Sequence, residues 1–135
     1  CYGAIAALVE RLGLGGRVIF PGYLPDEDLV VLLNLAAVLA LPSLMEGFGL
    51  PAVEAAACGC PVIATNASPL AGLLGDGGIY IEPREAELTC ALETVLGSES
   101  LRRTMGAAGS AAAARLTWDA AAALMLAVFD KVARP

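Results

Sequence analysis

Three short, almost uniformly apolar segments constrain the fold that this chain can adopt. They read AVLALP at 37–42, CPVIAT at 60–65 and GGIYIE at 77–82. A strand without polar alternation is covered on both faces, as in a parallel sheet. Segments with helical character separate or follow them, at about 51–59, 69–74, 85–96, 99–114 and 118–133. Strands that alternate with helices indicate an α/β fold, a Rossmann-like parallel sheet with flanking helices.

The first third of the chain fits the same alternation. Residues 2–13 carry one apolar stripe and precede Gly15-Gly16, which predicts a helix and its end. RVIFPG, at 17–22, predicts a short strand, and Asp26 is expected to cap a helix that runs to about Ala36. No linker divides the 135 residues, so we expect one domain over 1–135.

Composition narrows the classes of function. The net charge is -6 and the eight Lys and Arg residues are scattered, which argues against nucleic-acid binding. The longest apolar run, 29–45, contains Asn34 and Pro42, and we interpret it as a helix followed by a strand rather than a membrane span. Hydrophobic residues make up 58% of the chain, so either its surface is coated with small side chains or an apolar face meets a partner.

Four cysteines and no histidine limit the available chemistry. Cys58-Gly-Cys60 resembles half of a metal site, but no second pair completes it, and we predict no metal site. We expect buried, reduced thiols, which fit a cytoplasmic protein. The lack of histidine removes every Ser-His and Cys-His nucleophile scheme.

The stretch EGFGLPAVE, at 46–54, carries the strongest functional signal. Its glycines let the backbone approach a ligand closely, and Pro51 opens a helix. We expect free amides from about Gly49 to Val53 at the helix N-terminus, where an anion such as phosphate is favoured. Glu46 and Glu54 are acceptors when ionised and suit the hydroxyls of a sugar or ribose. Spacing alone leaves a simple glycine turn with solvated acids as an equal alternative.

Two further loops follow predicted strands and contain Tyr23 and Leu24, and Asn66 and Ser68. Ligands of parallel sheets bind at the carboxyl ends of the strands. These loops and the EGFG stretch are therefore expected to form one site.

The chain resembles the donor-binding part of family-four retaining glycosyltransferases of the GT-B fold. The resemblance lies in PSLMEGFGLPAVEAAACGCPVIATNASPL and the later GDGG, with Glu, seven residues and Glu at its centre. RVIFPGYLPDEDLVVLL, PREAELTCALETVL and LTWDAAA extend it over nearly the whole chain. TNASPL is most similar to mannosyltransferase-type members, which favours GDP-mannose as donor.

The resemblance implies a role for each matching position. Glu46 would face the transferred sugar as the catalytic residue, and Glu54 would bind the ribose hydroxyls. The amides of Gly47, Phe48, Gly49 and Leu50 would hold sugar hydroxyls and the β-phosphate. Tyr23 and Leu24 would border the base, while Asn66 and Ser68 would approach the phosphates or the sugar. The GDP- or UDP-linked donor is a substrate, and the resemblance implies neither cofactor nor metal.

Two departures from the family pattern affect what we expect of donor binding and activity in this chain. Ala71-Gly72 stand where relatives carry Pro-Glu, which affects the donor-sugar contacts or the loop. Relatives also neutralise the diphosphate with an Arg and a Lys upstream of the matching segment. We therefore expect a partial C-terminal domain that lacks its first strands and an N-terminal acceptor domain. Alone it would be inactive, and the intact enzyme would be able to associate peripherally with a membrane through that other domain.

Two other classes remain open at this point. A related GT-B enzyme is one, but a phosphorylase needs a pyridoxal-binding lysine, and Lys131 in the last predicted helix is the only lysine. A nucleotide-sugar epimerase usually lacks the full Glu-Gly-Phe-Gly run. The second class is a non-catalytic α/β module that uses its apolar helices to bind a partner. Trp118 is expected to be a packing anchor behind an N-cap at Thr117.

Overall fold

The structure, a computed structural model, describes residues 2–133. Seven helices and three strands follow one another in these residues. They are α1 (Tyr2–Arg11), α2 (Asp26–Leu35), β1 (Leu39–Leu41), α3 (Leu50–Ala57), β2 (Val62–Thr65), α4 (Leu70–Leu74), β3 (Gly78–Ile81), α5 (Glu85–Gly97), α6 (Glu99–Ala113) and α7 (Trp118–Ala133). The predicted α/β alternation from residue 37 onward is confirmed, with boundaries shifted by a few residues.

The three strands form a parallel sheet in the order β1-β2-β3. Ile63 of the central strand pairs with Ala40 on one side and Ile79 on the other. All four residues of β2 are buried, as its uniformly apolar sequence predicts. The expectation of full burial is wrong for β1, where Ala40 is exposed because this strand lies at the edge of the sheet.

Each face of the sheet packs against its own apolar cluster. Val62 and Ala64 belong to one cluster with α3, α4 and the end of α6, whereas Ile63 belongs to the other with α5 and Met105. This division follows from the strand geometry, since successive side chains point to opposite faces. The central strand is thus fixed from both sides, and with it the loops that leave its carboxyl end.

Small residues allow α6 to lie unusually close to its neighbours. A Cβ on Gly106 would lie 2.3 Å from the carbonyl oxygen of Gly59, and a Cβ on Gly77 would lie 2.4 Å from Cα of Gly109. Glycine is therefore required at these contacts by packing. Gly77 belongs to the short 3₁₀ turn Gly75–Gly77, which packs directly on α6.

The strand predicted at 17–22 does not form. Val18 donates its N–H to the carbonyl of Leu14 in a turn, and residues 19–24 form no backbone hydrogen bond within the described part of the chain. Ile19 is 85% exposed. The ring of Phe20 packs edge to face on that of Tyr2, with 5.0 Å between the ring centroids. A β-prone sequence becomes a strand only when a neighbouring backbone completes its hydrogen bonds.

Three smaller expectations need correction. The N-cap of α2 is Pro25, so Asp26 is the first helical residue and interacts with the helix dipole rather than capping a backbone N–H. Cys60 is buried, and burial raises the pKa of its thiol, but Cys90 is exposed. Trp118 is 85% exposed and so is not a packing anchor. The cap at Thr117 is confirmed, because its hydroxyl accepts the N–H of Ala120 at 3.1 Å.

The apolar run 29–45 divides into α2, β1 and the loop after it, as predicted. Between residues 2 and 133 no single helix has both the length and the apolar character for a membrane span. The helices α6 and α7 meet those two criteria together, but the pair is bent by 49° at its break.

Candidate functional site

The loop from β1 to α3 is joined to the loop that follows β2. Glu46 donates its backbone N–H to the carbonyl of Ala67 at 3.2 Å. The Glu46 carboxylate is half-buried and accepts a hydrogen bond from the hydroxyl of Ser43 at 3.1 Å. The two loops leave the carboxyl ends of adjacent parallel strands, where ligands of such sheets bind. The predicted grouping of these two loops is therefore present in the structure.

Gly49 sets the path by which this loop enters α3. It is the N-cap residue, it is buried, and its left-handed conformation (φ 81°, ψ 44°) favours glycine. A Cβ at this position would lie 2.8 Å from Cδ1 of Leu70. Both the backbone conformation and the contact with α4 thus require glycine at the second position of the Gly-Phe-Gly run.

The unpaired amides of the motif lie slightly earlier than predicted. The N–H groups of Ala52 and Val53 both donate to the carbonyl of Gly49, at 2.9 and 3.2 Å, and Pro51 has no N–H. Among residues 2–133, the N–H groups of 47–50 have no hydrogen-bond partner. The four N–H groups without a partner are therefore at 47–50, the positions named by the family resemblance, rather than at 49–53.

Glu54 lies on α3, beyond these four donors. Its neighbours Ala52, Ala55 and Ala56 are buried in the core, whereas Glu54 is exposed. Within the described residues its carboxylate makes neither an ion pair nor a hydrogen bond. In the sequence the unpaired amides are thus flanked by Glu46, whose carboxylate is held by Ser43, and by Glu54, whose carboxylate is exposed.

The loop after β2 is stabilised by its own hydroxyls. The hydroxyl of Thr65, which is fully buried, accepts the N–H of Ala67 at 3.1 Å. Ser68 donates its hydroxyl to the carbonyl of Thr65 at 2.8 Å and accepts the N–H of Leu70. The side chain of Asn66 is exposed, and its backbone N–H is bound to the carbonyl of Ile81 at 2.8 Å. Ser68 thus stabilises the conformation of the loop, while the side-chain amide of Asn66 is exposed and available for a ligand.

The third predicted loop is less closely tied to the motif. Tyr23 is 91% exposed and Leu24 is half-buried, just before α2. Within residues 2–133 no hydrogen bond joins either of them to the loop that carries Glu46. Nor do these residues contain a group of three or more His, Cys, Asp or Glu side chains placed to hold a metal ion.

A groove beside the motif was not predicted from the sequence. It has a volume of about 550 Å³ and lies between the start of α3, α4 and the α6–α7 turn. We call it the α3–α7 groove; Phe48, Leu50, Leu73, Arg115, Trp118 and Leu124 are among its lining residues. The only hint of this groove in the sequence is the short break at 114–117 between two predicted helices. That this turn lies over α3 follows only from the tertiary packing.

Comparison with known proteins identifies the family of this domain. The sequence profile described as "Glycosyl transferases group 1" matches residues 4–112. Since this match covers most of the chain, the chain belongs to that family. The resemblance to mannosyltransferase-type members of the GT-B fold is thereby confirmed.

Individual relatives place the chain within the family. It is 38% identical to the O-antigen chain mannosyltransferase B of Escherichia coli over 113 residues, which is 83% of this chain and 30% of that protein. It is 37% identical to the MMP alpha-(1->4)-mannosyltransferase of Mycolicibacterium hassiacum, over 96% of this chain and 33% of that protein. The chain thus spans about a third of the length of these relatives.

A solved structure shares the fold. The structure of sucrose-phosphate synthase from Thermosynechococcus elongatus superposes with a TM-score of 0.84 and 35% sequence identity. The superposition covers 95% of this chain and 33% of the synthase chain. The α/β architecture with its parallel sheet is therefore that of a GT-B glycosyltransferase domain.

Proposed function

We propose that this chain is the donor-binding part of a retaining glycosyltransferase that transfers a hexose from a nucleoside diphosphate sugar. One observation carries the proposal: in the loop that leaves the carboxyl end of β1, four unpaired backbone N–H groups at 47–50 are flanked in the sequence by Glu46 and Glu54. Donors of this kind suit an anion, whereas carboxylates suit hydroxyl groups. A nucleoside diphosphate sugar offers both, with a diphosphate between two polyols.

The amides at 47–50 would act on the diphosphate. In the transfer the acceptor hydroxyl oxygen would bond to the anomeric carbon and lose its proton, while the bond from that carbon to the phosphate oxygen breaks. The nucleoside diphosphate would leave with additional negative charge on its β-phosphate. Backbone donors directed at a developing charge stabilise it without reorganisation. The dipole at the N-terminus of α3 would add about 0.3–1 kcal/mol at an exposed position.

The two carboxylates would bind the two polyols. Glu54, which is exposed and unpaired within residues 2–133, would accept the ribose hydroxyls. Glu46 would face the transferred sugar and the reacting centre, with the Ser43 hydroxyl fixing the orientation of its carboxylate. The roles of the remaining positions follow the family pattern: Tyr23 and Leu24 border the base, and Asn66 and Ser68 approach the phosphates or the sugar.

Mannose, carried by GDP, is the donor sugar that we favour. Several relatives that are 32–38% identical bear mannosyltransferase names, which supports this choice. The donor is a substrate, and we propose a transfer that needs no cofactor or metal, on the strength of the family resemblance. The acceptor would be held by a domain outside this chain, in a cytoplasmic enzyme with access to the membrane surface.

Calorimetric titration with GDP and UDP tests the proposal. We expect weak binding of at least one nucleotide, and a loss of about ten- to 150-fold in affinity for Glu54→Ala, because a charge-assisted hydrogen bond contributes about 1.5–3 kcal/mol. Glu93→Ala, at an exposed position of α5, is the matched control and should bind like the parent. If Glu54→Ala and Glu93→Ala bound the nucleotide with equal affinity, Glu54 would not be a binding residue.

Transfer assays test the catalytic part. We expect this chain alone to transfer nothing, and a longer protein that includes the acceptor domain to transfer mannose from GDP-mannose. Glu46→Ala in that protein should lower kcat strongly while nucleotide binding persists. Unchanged transfer by both the Glu46 and Glu54 variants would contradict the proposal. Absence of heat with either nucleotide, in a protein that includes the preceding strands, would instead favour a non-catalytic interaction module.

A further inference from the structure

The α3–α7 groove has the size and lining of a small-molecule site. Its volume of about 550 Å³ lies within the range of about 300–1,000 Å³ that is usual for such sites. Apolar side chains provide most of its walls: Phe48 and Leu50 from the motif, Leu73 from α4, and Leu124 from α7. A ligand that fills it must therefore bring an apolar body.

A single charged side chain, that of Arg115, lines this apolar groove. Within residues 2–133 its guanidinium makes no hydrogen bond and no ion pair, so its donors are available. A guanidinium binds phosphate and carboxylate groups through two parallel hydrogen bonds. Charge complementarity therefore selects a ligand with an anionic group at one end.

We propose that the α3–α7 groove binds a single-chain amphiphile with an anionic head group, such as an alkyl phosphate. The chain would lie against Leu50, Leu73 and Leu124, and the head group would meet Arg115. The site adjoins the donor loop at Phe48 but uses none of its unpaired amides, so the inference does not depend on the proposed function.

Trp118 provides a direct reporter for this site. It is the only tryptophan of the chain, it lines the groove, and it is 85% exposed. We expect dodecyl phosphate, below its critical micelle concentration, to shift the fluorescence of Trp118 to the blue in a saturable titration with one site. Dodecyl maltoside should bind several times more weakly, because it offers Arg115 no charge, and inorganic phosphate alone should give no shift.

Two matched pairs of variants identify the groove as the place of binding. Arg115→Gln should weaken dodecyl phosphate about two- to fivefold, the range of an exposed ion pair, while Arg103→Gln, an exposed cation outside the groove, should not. Leu124→Asp should weaken it about tenfold, and Met125→Asp, exposed on α7 but outside the groove, should have little effect. Leu124 is 71% exposed, so its replacement should not disturb folding.

Several results would overturn the inference. These are the absence of a blue shift, equal affinity for dodecyl maltoside, equal losses within either pair, or a blue shift that grows with protein concentration in the absence of ligand. The last result would mean that a second copy of the chain fills the groove. Glu54→Ala should leave the Trp118 titration unchanged. The fluorescence titration therefore tests the groove, and the calorimetric titration with nucleotides tests the donor site, independently of each other.

Discussion

The last two long helices, α6 and α7, are similar in length but opposite in their relation to the core. Helix α6 has 15 residues and buries Met105, Gly106, Gly109, Ala112 and Ala113. Helix α7 has 16 residues with a more apolar sequence, yet it buries none of them. Burial in this molecule is therefore decided by close approach through small residues rather than by the hydrophobicity of the helix.

Substitution of the one methionine in each of these two helices should give the largest difference between them. Met105 on α6 is 3% exposed and Met125 on α7 is 57% exposed. Met105→Ala should lower the free energy of unfolding by about 2–5 kcal/mol, because it leaves a cavity in the core. Met125→Ala should change it by less than about 0.5 kcal/mol. Urea denaturation followed by circular dichroism measures both, and similar losses would show that α7 is packed as well as α6.

Substitution of Gly106 tests whether α6 must lie close to the turn after α3. Gly106→Ala should cost about 1–3 kcal/mol of unfolding free energy, because the new methyl group would overlap the carbonyl of Gly59. The control is Gly97→Ala at the end of α5, where no atom lies within 4 Å of the added Cβ and alanine is the better helix former. Thermal unfolding of the two variants should shift in opposite directions. A neutral Gly106→Ala would mean that α6 can move away from α3 at little cost.

The smallest effect is expected from the helix caps. The Ser98 hydroxyl accepts the N–H of Leu101 at the start of α6, and that of Thr117 accepts the N–H of Ala120 at the start of α7. Loss of a cap costs about 1 kcal/mol. For Ser98→Ala we expect this cost in global unfolding, because α6 is part of the core.

For Thr117→Ala we expect the cost mainly as faster amide hydrogen exchange within α7, since this helix opens without the core. An equal loss of global stability for the two cap variants would contradict the distinction between the helices.

Local sequence predicted most of the elements because their patterns matched their surroundings. CPVIAT became a strand that is buried on both faces, and the helix after Gly49 begins with Pro51 near its N-terminus, as expected. The strand expected at 17–22 failed because its hydrogen bonds depend on a neighbouring backbone that residues 2–133 do not supply. A strand, unlike a helix, cannot complete its backbone hydrogen bonds without a partner segment.

The candidate site was predicted only in part for a related reason. Glu46, Glu54 and the glycines stand out by residue type, so sequence alone identified the motif. The helix-start argument placed the free amides too late, at 49–53, because the Gly49 carbonyl takes up the amides of Ala52 and Val53, whereas the family resemblance named 47–50. The roles of Arg115 and Trp118 in the groove were missed because they depend on how the α6–α7 turn lies over α3.

The hydrogen bond from Glu46 to the carbonyl of Ala67 joins loops that are far apart in the chain. Since it uses backbone atoms, substitutions of either side chain leave both atoms in place, except for proline at 46, which has no N–H. The two loops can therefore vary in sequence while keeping the same spacing. Side chains around Asn66 can thus change while the position of the Glu46 backbone relative to the sheet stays the same.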